Sequence, residues 1–178
     1  MRDLYSEEEA APATTVQFRW ADDDSGLYVG ITAMEPEMER LRTAITVDIR
    51  DSESIYDTDL VELFMETPER STFIVAVNPE GAIYDKCTDS RVVENPVSWS
   101  AGWKVATRKG GDRWTVELFI PKESLAGAAP PTADAPWGVN IGRTRFLSGK
   151  AHNSAISPTQ GGFFQTVKFG NLIAPPPP

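Results

Sequence analysis

Apolar and polar residues alternate with period two along much of the chain. Val16, Phe18 and Trp20 share one face of a segment whose other face carries Thr15, Gln17 and Arg19. Leu27, Val29 and Ile31 repeat the pattern, followed by Phe73, Val75 and Val77, and then Trp114, Val116, Leu118 and Ile120. Successive side chains leave a strand on opposite sides, so this spacing predicts half-buried antiparallel strands. Turn residues separate them. Asp22-Asp23-Asp24-Ser25-Gly26 breaks the first pair, and Lys109-Gly110-Gly111-Asp112 precedes Trp114. Asn78-Pro79-Glu80-Gly81 places Pro second and Gly fourth, which suits a type I turn between two strands. Helix signals are short: residues 36–42 and 121–125 each allow one turn, and neither carries a long apolar stripe. Residues 126–136, rich in Ala and Pro, predict a loop. Many short strands with regular turn signals point to an all-β sandwich or barrel.

Composition narrows the choice. The chain has 178 residues, 40% of them hydrophobic, enough for one domain with its own core. Residues 1–13 are acidic and then Ala/Pro-rich, an N-terminal extension; residues 14–174 form the domain; Pro175 to Pro178 make a Pro-rich linker, stiff and extended. No apolar stretch approaches the roughly 20 residues of a membrane helix. Glu7, Glu8 and Glu9 replace the apolar centre of a signal peptide. The net charge is −9, and no segment gathers Lys and Arg, so nucleic acid and anionic membrane are poor partners. The single cysteine, Cys87, rules out an intrachain disulfide and fits a small buried apolar residue.

Three segments, in order, carry a resemblance. The first is Gly26-Leu27-Tyr28-Val29-Gly30-Ile31 with Tyr56-Asp57-Thr58-Asp59-Leu60-Val61-Glu62-Leu63-Phe64. The second runs from Phe73 through Asn78-Pro79-Glu80-Gly81 to Asp85, and on to Trp103 and Trp114-Thr115-Val116-Glu117-Leu118-Phe119-Ile120-Pro121. The third joins Trp137-Gly138-Val139-Asn140-Ile141 to Ser157-Pro158-Thr159-Gln160-Gly161-Gly162-Phe163-Phe164 and Lys168-Phe169-Gly170-Asn171-Leu172. The set resembles the family 9 carbohydrate-binding modules and their DOMON-related kin over most of the chain. It implies an antiparallel β-sandwich of jelly-roll type and a secreted or cell-surface protein. It also implies a non-catalytic module that binds a glycan or polysaccharide, chain ends among the sites open to it, beside other domains of its parent. The family has a further strand before the first one here; either it is missing or residues 2–5 stand in for it.

By that resemblance Tyr56 and Phe163 are the two rings that sandwich a sugar, and Glu62, Asn78 and Asn140 are polar contacts to its hydroxyls. Flat rings cover the C–H faces of a pyranose while carboxylates and amides bond its rim. Each residue has a plainer reading. Tyr56 could cap a strand edge, Phe163 could be core, Asn78 suits its turn, and Glu62 could be salt-bridged to Arg143 or Arg145. Two positions where the family carries polar contacts hold Ala76 and Gly142. That departure supports the alternative of a structural or interaction domain with a vestigial sugar site. The resemblance also implies structural calcium, for which Asp57 and Asp59 offer hard oxygen ligands; Asp22, Asp23 and Asp24 are a second acidic stretch. A third reading, a haem domain, would need axial ligands from Met34, Met38, Met65 or His152. Catalysis finds little support: His152 is the only histidine, no phosphate loop opens a helix, and Cys87 lacks a nucleophile's surroundings.

Overall fold

The computed structural model describes residues 1–3, 9–10, 12–43, 51–100 and 102–174, with Val97 described by its backbone alone. Most of the acidic part of the N-terminal extension and the whole proline run lie outside the described residues. Through the described residues run the strands β1 (Arg2–Asp3), β2 (Thr14–Trp20), β3 (Gly26–Met34), β4 (Leu60–Glu66), β5 (Thr72–Val77), β6 (Ile83–Cys87), β7 (Lys104–Lys109), β8 (Arg113–Pro121), β9 (Trp137–Leu147), β10 (Lys150–Ala155) and β11 (Gly170–Leu172). All pair antiparallel. They form a seven-stranded sheet in the order β1-β10-β9-β4-β5-β6, with β11 also on β9, and a four-stranded sheet in the order β2-β3-β8-β7. The two helical signals become single 3-10 turns, Met38–Arg40 and Lys122–Leu125. At the start of the chain, Arg2–Asp3 adds a short strand to the edge at β10.

The alternating positions build the core between the sheets. Leu27, Val29 and Ile31 from β3 and Trp114, Val116, Leu118 and Ile120 from β8 meet Val61, Leu63 and Met65 from β4 and Phe73, Val75 and Val77 from β5. Trp20 packs edge-on against Trp137, with centroids 5.6 Å apart. Cys87 is sealed into this core, and burial pushes its thiol up. The Asn78–Gly81 turn closes as expected, Gly81 donating to the Asn78 carbonyl at 3.0 Å.

The larger sheet is less simple, because β4 and β5 are buried on both faces. Strands covered on both sides lose their apolar–polar alternation. Two small apolar clusters cover the outer face. One joins Leu60, Ala76 and Tyr84 to Ile55 and Ala82. The other joins Phe64 and Ile74 to Ala155, Phe163 and Phe169. Both are built from segments outside the sheet that fold back over it, and the space they leave between them is the most distinctive feature of that face.

Candidate functional site

Along β4 the outward positions are Leu60, Glu62, Phe64 and Glu66. Leu60 belongs to one covering cluster and Phe64 to the other. Glu62 falls between them, opposite Ala76 on β5 and Gly142 on β9. Small neighbours on both sides leave a recess, an open cleft of about 320 Å³. Tyr56 stands on one bank, Phe163, Phe164 and Gln165 on the other, and Glu62, Ile74, Lys86 and Thr88 also line it.

Local chemistry sets each bank. Tyr56 sits on the 3-10 turn Glu53–Asp57, capped by Ser52 and held by Thr58, whose hydroxyl donates to the Ile55 carbonyl at 2.6 Å. Ile55 points inward as an anchor. Tyr56 packs edge-on against Tyr84 with centroids 5.5 Å apart, yet remains 36% exposed. The opposite bank is held by Asn140 on β9. Its amide nitrogen donates to the carbonyls of Ser157 and Phe163 at 3.1 and 3.2 Å, and its carbonyl accepts from the Ser157 amide at 3.1 Å. One buried side chain thus pins both ends of the segment that presents the phenylalanines. Phe163 lies flat on Gly142, where an added Cβ would sit 2.7 Å from the ring. Phe164 faces outward at 46% exposure, its centroid 6.2 Å from that of Phe64.

At the base of the cleft, burial pushes the Glu62 carboxyl up to about 7, although the Tyr56 hydroxyl hydrogen bond and the Lys86 charge pull the other way. Burial, followed by the charge of Glu62, pushes the Tyr56 phenol well above its usual range, so it remains a donor. A carboxyl that ionises near neutral pH, a phenol and an ammonium beside aromatic rings can bond the hydroxyls of a ligand while the rings cover an apolar face.

The structure brings Tyr56, Glu62 and Phe163 to this one cleft. Phe163 is only 8% exposed, and the ring that stands open beside it is Phe164. Sequence reasoning passed over Phe164, though of two consecutive aromatics in extended chain one faces each way. It also passed over Lys86, whose outward position on β6 follows from its pairing with Ile74. Asn140 is fully buried against the cleft's bank. Asn78 is fully buried too and does not line the cleft; its side-chain Oδ1 accepts from the backbone amides of Glu80 and Ala82, both at 3.0 Å. The salt bridge from Glu62 to Arg143 or Arg145 does not form. The register pairs Arg143 with Val61 and so sends both arginines to the opposite face, where they bind Glu35.

Asp57 and Asp59, the pair offered for calcium, differ in setting. Asp59 is buried, and its two oxygens accept from the amides of Arg42 and Phe146 at 2.7 and 3.2 Å, while Asp57 is exposed. Among the described residues no three His, Cys, Asp or Glu side chains are grouped to hold a metal. Of the residues offered as haem ligands, Met65 is sealed in the core with Met38 packed against it, and His152 is exposed on β10.

No family model and no curated protein matches the chain. Solved structures do match. A family 9 carbohydrate-binding module from Caldicellulosiruptor kristjanssonii in complex with glucose aligns with a TM-score of 0.64 and 18% identity, over 97% of this chain and 81% of that one. The cellotriose complex of a family 9 module from the same organism aligns with a TM-score of 0.63 and 18% identity, over 98% and 82%. A candidate carbohydrate-binding protein from Bacteroides uniformis aligns with a TM-score of 0.65 and 14% identity, over 96% and 83%. The chain has the antiparallel β-sandwich fold of the family 9 carbohydrate-binding modules.

Proposed function

We propose that the chain is a non-catalytic carbohydrate-binding module that takes a sugar unit of a glycan in the cleft between Tyr56 and the Phe163–Phe164 pair. The observation that carries this reading is the buried carboxyl of Glu62 at the base of an open cleft banked by aromatic rings. A buried carboxyl between two apolar clusters costs stability unless it has partners. Tyr56 supplies one, and a ligand's hydroxyls would supply more. Glycoside hydrolysis needs two carboxyl groups across the bond, and Glu62 is the one carboxylate among the described residues that line the cleft. The structural likeness to modules solved with glucose and cellotriose supports the same reading. In this reading the module works beside other domains of an exported protein and holds them at a polymer.

Calorimetric titration with glucose, cellotriose and a broad glycan panel tests the proposal. Binding should appear with at least one sugar and weaken roughly tenfold in Tyr56→Ala and in Phe164→Ala, as expected for loss of a stacked ring. Silence across the panel, or binding indifferent to both substitutions, would remove it.

A further inference from the structure

The cleft lies on the outer face of the seven-stranded sheet, and the opposite outer face carries a separate feature. There the register sets Arg19, Tyr28, Phe119 and Lys104 side by side across β2, β3, β8 and β7. Gln17, Gly30, Glu117 and Ala106 form the next row. We propose that this face is a second glycan platform, on which Tyr28 and Phe119 take the apolar face of a neutral oligosaccharide and Gln17, Arg19, Glu117 and Lys104 bond its hydroxyls. The assignment rests on none of the cleft's residues.

Three observations carry it. The first is the aromatic pair. Tyr28 alternates with Leu27 and Val29, which are in the core, and is 49% exposed. Its centroid lies 4.7 Å from that of Phe119, and the Lys104 ammonium lies 5.7 Å from the Phe119 centroid. The two rings form one apolar surface on a sheet face otherwise polar.

The second is Gly30. Glycine in a strand interior costs stability, and it marks places where a ligand or another backbone comes close. Here no protein atom lies within 4 Å of where its Cβ would be. Neither packing nor backbone conformation calls for glycine, and the missing side chain leaves a flat shelf beside Tyr28. Depressions of about 480 and 500 Å³ flank Tyr28, and a third of about 540 Å³ opens past Phe119 and Lys104.

The third is the balance of charge. Arg19 pairs with Asp22 at 2.8 Å at one end of the row, Lys104 stands at the other, and Glu117 lies in the next. Donors and acceptors are mixed with no dominant sign. A polyanion or polycation would meet repulsion somewhere on this face, whereas a hydroxyl both donates and accepts. The platform and the cleft point in opposite directions, so one molecule would hold two chains rather than grip one chain twice.

Backbone amide NMR on the full chain tests this, with cellohexaose, xylohexaose and mannohexaose as neutral probes and hexagalacturonate as the charged one. At least one neutral hexaose should shift the amides of Gln17, Gly30 and Glu117. Tyr28→Ala should weaken that response roughly tenfold. Gly30→Val should abolish it while keeping or raising the melting temperature, since valine suits a strand better than glycine. The platform is overturned if no neutral hexaose moves these signals, or if both variants leave the response intact. A response to hexagalacturonate alone overturns the neutral ligand. Signals around Tyr56 and Phe164 report the cleft separately, so either site can fail while the other stands.

Discussion

Glu62 shows how one position can be readable in kind and unreadable in consequence. Its alternation with Val61 and Leu63 sets its face of the strand, but its partner depends on which strand lies opposite, and that is a long-range fact. Sequence spacing offered Arg143 and Arg145; the pairing of Glu62 with Gly142 sends those arginines to the other side of the sheet. With Tyr56 and Lys86 instead, the carboxyl keeps its proton up to about pH 7. The folded chain then binds that proton more tightly than the unfolded chain, whose glutamate titrates near 4.5. Stability from this group is therefore full below about pH 4.5, falls as pH rises through the window to about 7, and levels off above it, a loss of about 3 kcal/mol in all. Glu62→Gln removes the titration. The difference between the wild-type and variant unfolding free energies, measured by denaturant titration from pH 4 to 8, should move by that amount in that window. A constant difference would show that Glu62 titrates normally. Gly142 makes a second prediction at this scale. Gly142→Ala drives a Cβ into the Phe163 ring, and overpacking of that kind costs about 1–3 kcal/mol. Thermal melting should fall by several degrees. An unchanged melting temperature would mean that the ring moves aside freely.

Strands with one wet face, β3 and β8, could be read from alternation alone, and so could the Asn78–Gly81 turn. β5 was legible in the alternation of Phe73, Val75 and Val77, but not as the half-buried strand that spacing predicts: covering segments bury the outer face of both β4 and β5. Those segments have few local signals of their own. The stretch from Ser157 to Phe164 is irregular chain, and Asn140 fixes its course from a distant strand. Asn140→Ala should leave the sandwich folded and free that bank. Removing a buried amide that satisfies three backbone groups costs about 1–3 kcal/mol. Hydrogen exchange should quicken at Ser157, whose amide loses its acceptor, while amides in β4 and β9 remain protected. If exchange rises equally across the sheet, Asn140 supports the whole fold rather than one bank of the cleft.

At the scale of the whole molecule, the two sheets meet through an apolar core and one buried ionic cluster. Glu35, just past the end of β3 in the four-stranded sheet, accepts from Arg145 at 2.5 and 2.6 Å and from Arg143 at 3.2 Å, both on β9 of the other sheet. Arg143 also donates to the Thr14 hydroxyl at 3.1 Å and the Pro12 carbonyl at 3.3 Å, which ties the start of β2 to the same point. Burial pushes the Glu35 carboxyl up, but the Arg145 hydrogen bonds and the charges of Arg145 and Arg143 outweigh it and hold it below its ordinary value. Burial also lowers Arg143 to about 10. The arginines stay charged at neutral pH, and Glu35 is the carboxylate that both of them contact; Glu37, 3.7 Å from Arg145, and the charge of Asp59 add less. Removing Glu35 strands buried positive charge, at a cost of about 3–5 kcal/mol. Glu35→Ala should therefore destabilise the chain by that amount in chemical unfolding at pH 7, whereas exposed Glu39→Ala should stay within about 0.5 kcal/mol of wild type. Because Glu35 loses its charge at acid pH, the gap between wild type and Glu35→Ala should narrow as pH falls below the ordinary carboxylate range. A gap that stays constant through and below that range would assign the loss to packing, and the ionic cluster would then be incidental to how the sheets are joined.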